Sequence, residues 1–246
     1  MNTIIIIPAR MASTRLPGKP LADIAGTPMI VRVWQRAMQA GVGPVVVAAA
    51  EEEIVAAVTS AGGRAVLTDP DLPSGSDRIF AALLEADPQE HFDAVINLQG
   101  DLPDIAPEIL RTVNTVLRES GADIATLAAP ITDPADFDNT NVVKPVVSWQ
   151  GDGAFGRALY FSRTRVPHGS GEIFHHIGIY AYRRAALTRY VGLSPSPLEQ
   201  REKLEQLRAL EAGMRIAVAR VDAAPLSVDT PDDLQKARRL LSERMK

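Results

Sequence analysis

The segment Pro8 to Leu21, PARMASTRLPGKPL, carries Arg10, Arg15 and Lys19 and holds no Asp or Glu between Pro8 and Pro20. Three cations on so short a stretch of a net acidic chain point to an anionic ligand, and a polyphosphate suits them. Arg offers planar forks of donors, Lys a compact point charge, and loop N–H groups can add to both. A solvated basic loop is the plain alternative. Neither familiar nucleotide motif is present. Walker A needs Gly five residues before the Gly-Lys pair and Ser or Thr after it, where this chain has Ser13 and Pro20. A dinucleotide fingerprint at Gly41-Val42-Gly43 would precede a strand and meets Val46 at its third Gly position.

A carboxylate follows another apolar run in Asn97-Leu98-Gln99-Gly100-Asp101. A hard cation such as Mg²⁺ takes one or two protein carboxylates together with phosphate oxygens, which makes Asp101 the leading metal ligand. An Asp after a Gly is also a common turn residue. Asp229 is a second candidate from far along the chain, although an acid before a helix also serves the helix dipole. Of the four histidines, His175 and His176 are adjacent; on a strand they point to opposite faces and cannot share a metal, which argues against zinc. Glu199 has a capping-box explanation in Ser196-Pro197-Leu198-Glu199.

These residues need elements to position them. Ile4 to Ile7, Val45 to Ala49, Ala65 to Leu67 and Ala94 to Leu98 read as short apolar strands. Helical stretches alternate with them at Met29 to Gln39, Glu51 to Ala61, Ser76 to Glu85 and Pro107 to Arg118. That alternation predicts an α/β fold with a mostly parallel sheet and helices on both faces. From Asp123 the pattern changes, with strands expected at Ile124 to Ala129, Val142 to Ser148, Leu159 to Ser162 and Ile177 to Tyr182 and no full helix between them. We expect a smaller, partly antiparallel lobe over 123–195 within a single domain, 1–246. One helix from Pro197 to about Ala212, a strand at Ile216 to Val221 and a C-terminal helix capped by Thr230 complete the expectation.

Composition bounds the function. The chain has 246 residues, 46% of them hydrophobic and 23% charged, as folded globular proteins do. A net charge of −4 argues against a nucleic-acid-binding protein, because clustered cations supply most of that affinity. There is no Cys, so thiolate catalysis and Cys-ligated zinc are excluded, and a cytoplasmic setting fits. The four isoleucines near the N-terminus are too short a run for a signal or a membrane span, so no membrane insertion is expected.

PARMASTRLPGKPL, PSGSDR (73–78), LQGDLP (98–103), ALYFSR (158–163), HHIGIYAYR (175–183), SPLEQREKLEQLR (196–208) and VDTPDDL (228–234) occur in an order that resembles the 3-deoxy-manno-octulosonate cytidylyltransferases. The resemblance implies a nucleotide-diphospho-sugar-transferase-like domain with a sugar-binding and dimerising lobe. It also implies an enzyme of lipopolysaccharide biosynthesis that uses CTP, an acidic sugar (Kdo) and Mg²⁺. Carried over residue by residue, Arg10, Arg15 and Lys19 would bind the triphosphate beside Pro8 and Ala9, and Ser74, Gly75 and Arg78 would border the cytosine. Gln99 and Gly100 would line the junction of nucleotide and sugar, Asp101 and Asp229 would hold the metal, and Lys19, Arg15 and both acids would carry the chemistry. Arg163, His176, Glu199 and Gln200, with Gln99, would contact the sugar. A homodimer is implied as well. The chain departs from the pattern at Leu102, at Ser76 and Asp77, and in a short stretch between Arg163 and His175. Alternatives are CMP transfer to another acidic sugar, such as sialic acid or amino-Kdo, and a non-catalytic nucleotide sensor.

Overall fold

The structure, a computed structural model, describes residues 1–13, 15–151 and 153–244. The chain forms two compact units, residues 1–111 with 225–246, and residues 112–224.

In the first unit the apolar runs become strands β1 (Thr3–Ala9), β4 (Val45–Ala49), β5 (Arg64–Leu67) and β6 (Ala94–Asn97), between which come the short pair β2 (Asp23–Ile24) and β3 (Thr27–Pro28) and helices α1 (Met29–Gln39), α2 (Glu52–Ser60) and α3 (Gly75–Ala86). The strands run parallel in the order β5-β4-β1-β6. Ile4 to Ile7 and Val46 to Ala49 have no exposed surface, as strands covered on both faces require. Helices α1 and α2 cover the sheet with Met29, Ile30, Val33, Ile54 and Val58. From β1 the chain steps to β4 on one side and later to β6 on the other, so the loops after β1 and β6 leave the sheet where the strand order reverses. That crevice is the ligand position of open α/β sheets.

The hairpin β2–β3 was not expected from the sequence. Its two-residue turn, Ala25 and Gly26, has φ of +49° and +79°, the both-positive pattern of a type I′ turn, but Ala at the first position hides the signal.

Helix α4 (Pro107–Glu119) precedes the strands of the second unit, β7 (Ile124–Pro130), β8 (Lys144–Gln150), β9 (Phe155–Ser162), β10 (Phe174–Arg183) and β11 (Ile216–Arg220). Their order is β10-β7-β11-β9-β8; β7 and β11 are parallel and the other pairs antiparallel. Strands β9 and β10 begin earlier than the apolar runs predict, at Phe155 and Phe174. Helix α5 (Arg184–Val191) follows β10 directly and was not expected.

The single helix expected over 197–212 is two helices, α6 (Pro197–Glu202) and α7 (Gln206–Glu211). Lys203 turns left-handed at φ +57° between them. The Arg163 guanidinium stabilises that break: Nε donates to the Glu202 carbonyl at 2.7 Å and Nη2 to the Lys203 carbonyl at 3.0 Å, satisfying acceptors a helix end leaves open. The chain then returns to the first unit as α8 (Pro231–Arg244). No helix among the described residues is long and apolar enough to cross a membrane.

Candidate active site

The basic loop begins as β1 ends at Ala9. Its path is fixed by the Met11 N–H donating to Glu51 Oε2 at 2.9 Å and the Gly18 N–H donating to the Met11 carbonyl at 3.3 Å. Gly18 takes φ +69°, a conformation that favours glycine, and one 3-10 turn over Lys19–Leu21 with Pro20 buried then aims the Lys19 side chain inward. Glu51, just after β4, was not singled out from the sequence. Its position beyond a buried strand on the same sheet edge was the available signal.

Lys19 Nζ lies 2.7 Å from Asp101 Oδ2 and 3.0 Å from Asp229 Oδ1, and Arg15 Nη2 lies 3.2 Å from that same Asp229 oxygen. Residues 82 and 210 positions from Lys19 thus meet on one ammonium. The two acids are brought together by backbone: the Val228 N–H donates to the Asp101 carbonyl at 2.9 Å. Asp229 is held by the start of α8, where Asp233 Oδ2 accepts from the N–H groups of Asp229 and Thr230 at 3.2 and 2.9 Å. Thr230 Oγ1 accepts from the Asp233 N–H at 3.2 Å in return. Burial pushes the Asp101 carboxyl above its usual range while Lys19 pulls it back. Burial works against the Lys19 charge, yet the two carboxylates hold its pKa above the ordinary lysine value.

The Gln99-Gly100 turn presses against β1. A Cβ on Gly100 would stand 3.0 Å from the Pro8 carbonyl oxygen and 3.3 Å from Ile30 Cδ1, so glycine lets the Asp101 turn come this close without crowding. Leu102, the departure beside Asp101, is buried. At the start of α3, Ser74 Oγ accepts from the Asp77 N–H at 3.1 Å, and Gly75 packs beside Pro8. Arg78 is buried: Nη1 donates to Thr68 Oγ1 at 2.6 Å and to the Asp69 carbonyl at 3.0 Å, and Nη2 to the Pro70 carbonyl at 3.2 Å. Its guanidinium therefore shapes the 68–70 loop. Burial, reinforced by the charge of Arg10, lowers its pKa against the pull of Glu51. Arg10 is exposed at the loop entrance.

Of the residues expected at the sugar, Gln99 lies in the first unit and Arg163, His176, Glu199 and Gln200 in the second. His176 is buried on β10 and its neighbour His175 is half-exposed, the alternation expected for a strand. The Thr126 hydroxyl donates to the carbonyl of Ile179 at 2.8 Å or Ile177 at 3.1 Å, which assigns the His176 Nε2 proton as the donor to Thr126 Oγ1 at 2.9 Å. Burial, with His175 adding to it, lowers the His176 pKa to about 3. Its ring meets Phe161 edge-on and lies tilted against Tyr180.

Glu199 is engaged inside its own unit, accepting from the Ser196 N–H at 3.0 Å and from Arg208 Nε at 2.8 Å. Burial alone would raise its carboxyl, but Arg208 and the helix cap hold it below the usual range. Gln200 is exposed. Arg163, besides its hold on α6, donates from Nη1 to the Thr140 carbonyl at 2.9 Å. The charge of Glu205, outside the sequence candidates, reaches Tyr180 and Tyr190 and helps raise both phenols above their ordinary value, burial being the larger cause.

A cytidylyltransferase family model matches residues 4–216. The chain is 64% identical over 243 residues to a 3-deoxy-manno-octulosonate cytidylyltransferase of Parvibaculum lavamentivorans, covering 99% of this chain and 94% of the relative. It is 58% identical to one of Paramagnetospirillum magneticum, covering 98% of each. A solved structure of CMP:2-keto-3-deoxy-manno-octonic acid synthetase complexed with CTP superposes with a TM-score of 0.90 at 41% identity, covering 99% of this chain and all of that one. The chain belongs to the 3-deoxy-manno-octulosonate cytidylyltransferase family.

Proposed function

We propose that the first unit binds CTP at the basic loop and that the chain transfers CMP to the anomeric hydroxyl of Kdo. The hydroxyl oxygen attacks the α-phosphorus in line, the bond to the β-phosphate bridging oxygen breaks, pyrophosphate leaves, and the hydroxyl proton passes to solvent. The observation that carries this reading is the meeting of Lys19, Asp101 and Asp229 at the reversal point of the sheet.

The donor set fits Mg²⁺. It consists of two carboxylates that meet on one cation, the number of protein ligands Mg²⁺ takes beside phosphate. Mg²⁺ characteristically fills its remaining positions with water and phosphate oxygens. Asp101 and Asp229 would hold the ion, which would supply charge neutralisation at the reacting phosphate. Arg10, Arg15 and Lys19 bind and orient the triphosphate and neutralise the departing pyrophosphate, acting by position and charge without a covalent intermediate. Pro8, Ala9, Ser74, Gly75, Gln99 and Gly100 shape the nucleotide's surroundings, and Arg78 acts by holding the 68–70 loop.

For the sugar we assign Gln99, Arg163, His176, Glu199 and Gln200. Arg163 and Glu199 act by holding α6, since their polar atoms are engaged by α6 and its neighbours. A sugar-binding and dimerising lobe at 123–195, a homodimer, a cytoplasmic location and a role in lipopolysaccharide biosynthesis belong to the same reading.

The test is pyrophosphate release from CTP and Mg²⁺ with a panel of Kdo, sialic acid and amino-Kdo. Release with Kdo well above the others is expected. Preference for another acidic sugar would reassign the substrate, and tight CTP binding without release for any sugar would indicate a nucleotide sensor.

A further inference from the structure

Lys19 stands where the two carboxylates would otherwise share a divalent ion. Its ammonium is within hydrogen-bond distance of both Asp101 and Asp229, while the acids themselves are joined by the Val228–Asp101 backbone bond and the α8 cap. The carboxylate pair is thus built without Lys19, whose ammonium offsets one of its two negative charges. Two carboxylates around one point repel each other strongly unless a cation lies between them. A lysine does this reversibly: its flexible stem can carry the ammonium to another anion, whereas the backbone-anchored acids stay where they are.

Building on the metal assignment above, we infer that Lys19 is an internal counter-cation that occupies the two-carboxylate site in the nucleotide-free protein. It gives that site up to the divalent ion when a triphosphate arrives to receive the ammonium. Metal and nucleotide then bind interdependently: metal alone must displace a bonded ammonium, and nucleotide draws that ammonium away. Arg15 differs from Lys19 in this respect, since it touches Asp229 alone and its side chain is 65% exposed, so solvent already screens it.

The probe is Mn²⁺ alone, which prefers the same oxygen ligands and whose free ion is measured by electron paramagnetic resonance. It is titrated onto the nucleotide-free full-length protein. Lys19→Met is expected to bind Mn²⁺ about tenfold or more tightly than the parent chain, as removal of a charge in contact with both ligands implies. Arg15→Met is expected to change it by less than about threefold, because its charge is exposed and screened. The double variant Lys19→Met/Asp101→Asn should lose the gain. Lys19→Gln replaces Lys19→Met if the latter does not keep a cooperative melt.

Equal Mn²⁺ affinity in the parent chain and the Lys19 variant, or equal tightening by the Arg15 and Lys19 variants, overturns the inference and leaves the metal assignment standing. A gain that survives in the double variant instead removes the metal assignment beneath it.

Discussion

The backbone N–H of Val228 donates to the carbonyl of Asp101 at 2.9 Å, tying the turn after β6 to the segment that enters α8. Because it is a main-chain bond, it fixes the approach of Asp101 and Asp229 whatever their side chains do. A substitution confined to either carboxylate therefore alters charge and contact while leaving that scaffold in place.

Asp101→Asn keeps the turn and the Val228 bond but removes one carboxylate from the proposed metal site. Loss of a preorganised charged group typically costs a hundredfold or more in rate. We expect a folded protein that retains measurable CTP binding by calorimetry and loses turnover in a pyrophosphate-release assay by about that factor. Turnover close to that of the parent would refute the assigned role.

Gly100→Ala probes the close approach to β1. The new Cβ would stand 3.0 Å from the Pro8 carbonyl, a backbone atom of β1 where Pro8 pairs with Ala48 of β4. A cost of about 1–3 kcal/mol is expected from such crowding. Displacement of the Asp101 turn should lower turnover more than CTP affinity. Denaturant melts and steady-state kinetics read the two effects separately.

His176 makes stability depend on pH. Burial depresses its pKa to about 3 from an ordinary value near 6.5, so the unfolded chain binds its proton more readily than the folded one. Its contribution is fully present above pH ~6.5 and is lost as the pH falls toward 3, at up to about 1.4 kcal/mol per pH unit. His176→Gln should be less stable at pH 7 yet show a shallower decline between pH 6 and pH 4. His175 is present in both proteins, so the difference in slope isolates His176; parallel curves of melting temperature against pH would contradict the assignment.

Glu199→Gln leaves Arg208 without its carboxylate partner and weakens the start of α6. Breaking a buried pair costs about 3 kcal/mol or more. The Glu199 carboxyl lies below its usual range, so the pair's contribution is present above the ordinary Glu pKa and disappears as acid protonates it in the fold. The variant should therefore melt at lower temperature at neutral pH and converge with the parent in acid. Equal melting temperatures at pH 7 would remove the structural role assigned to the pair.

Some of this protein was legible in local pattern. The isoleucine run of β1, the valine run of β4 and the amphipathic period of α1 specify buried parallel strands and a covering helix, because alternation and burial are written residue by residue. The basic loop and the Ser196 and Thr230 helix starts were likewise readable, since a cap or a cation cluster is a local event. Less local features escaped. The break at Lys203 depends on Arg163, 40 residues away, drawing off the helix-end carbonyls, and the engagement of Glu199 depends on Arg208.

By itself, the amino-acid order determined which side chains could do chemistry and which strand ends would present them, for periodicity and residue type act over a few positions. Tertiary structure alone decided that Asp101 and Asp229, 128 positions apart, converge on Lys19. That meeting depends on strand order around β1 and on one backbone bond between distant segments, and neither leaves a trace in local sequence.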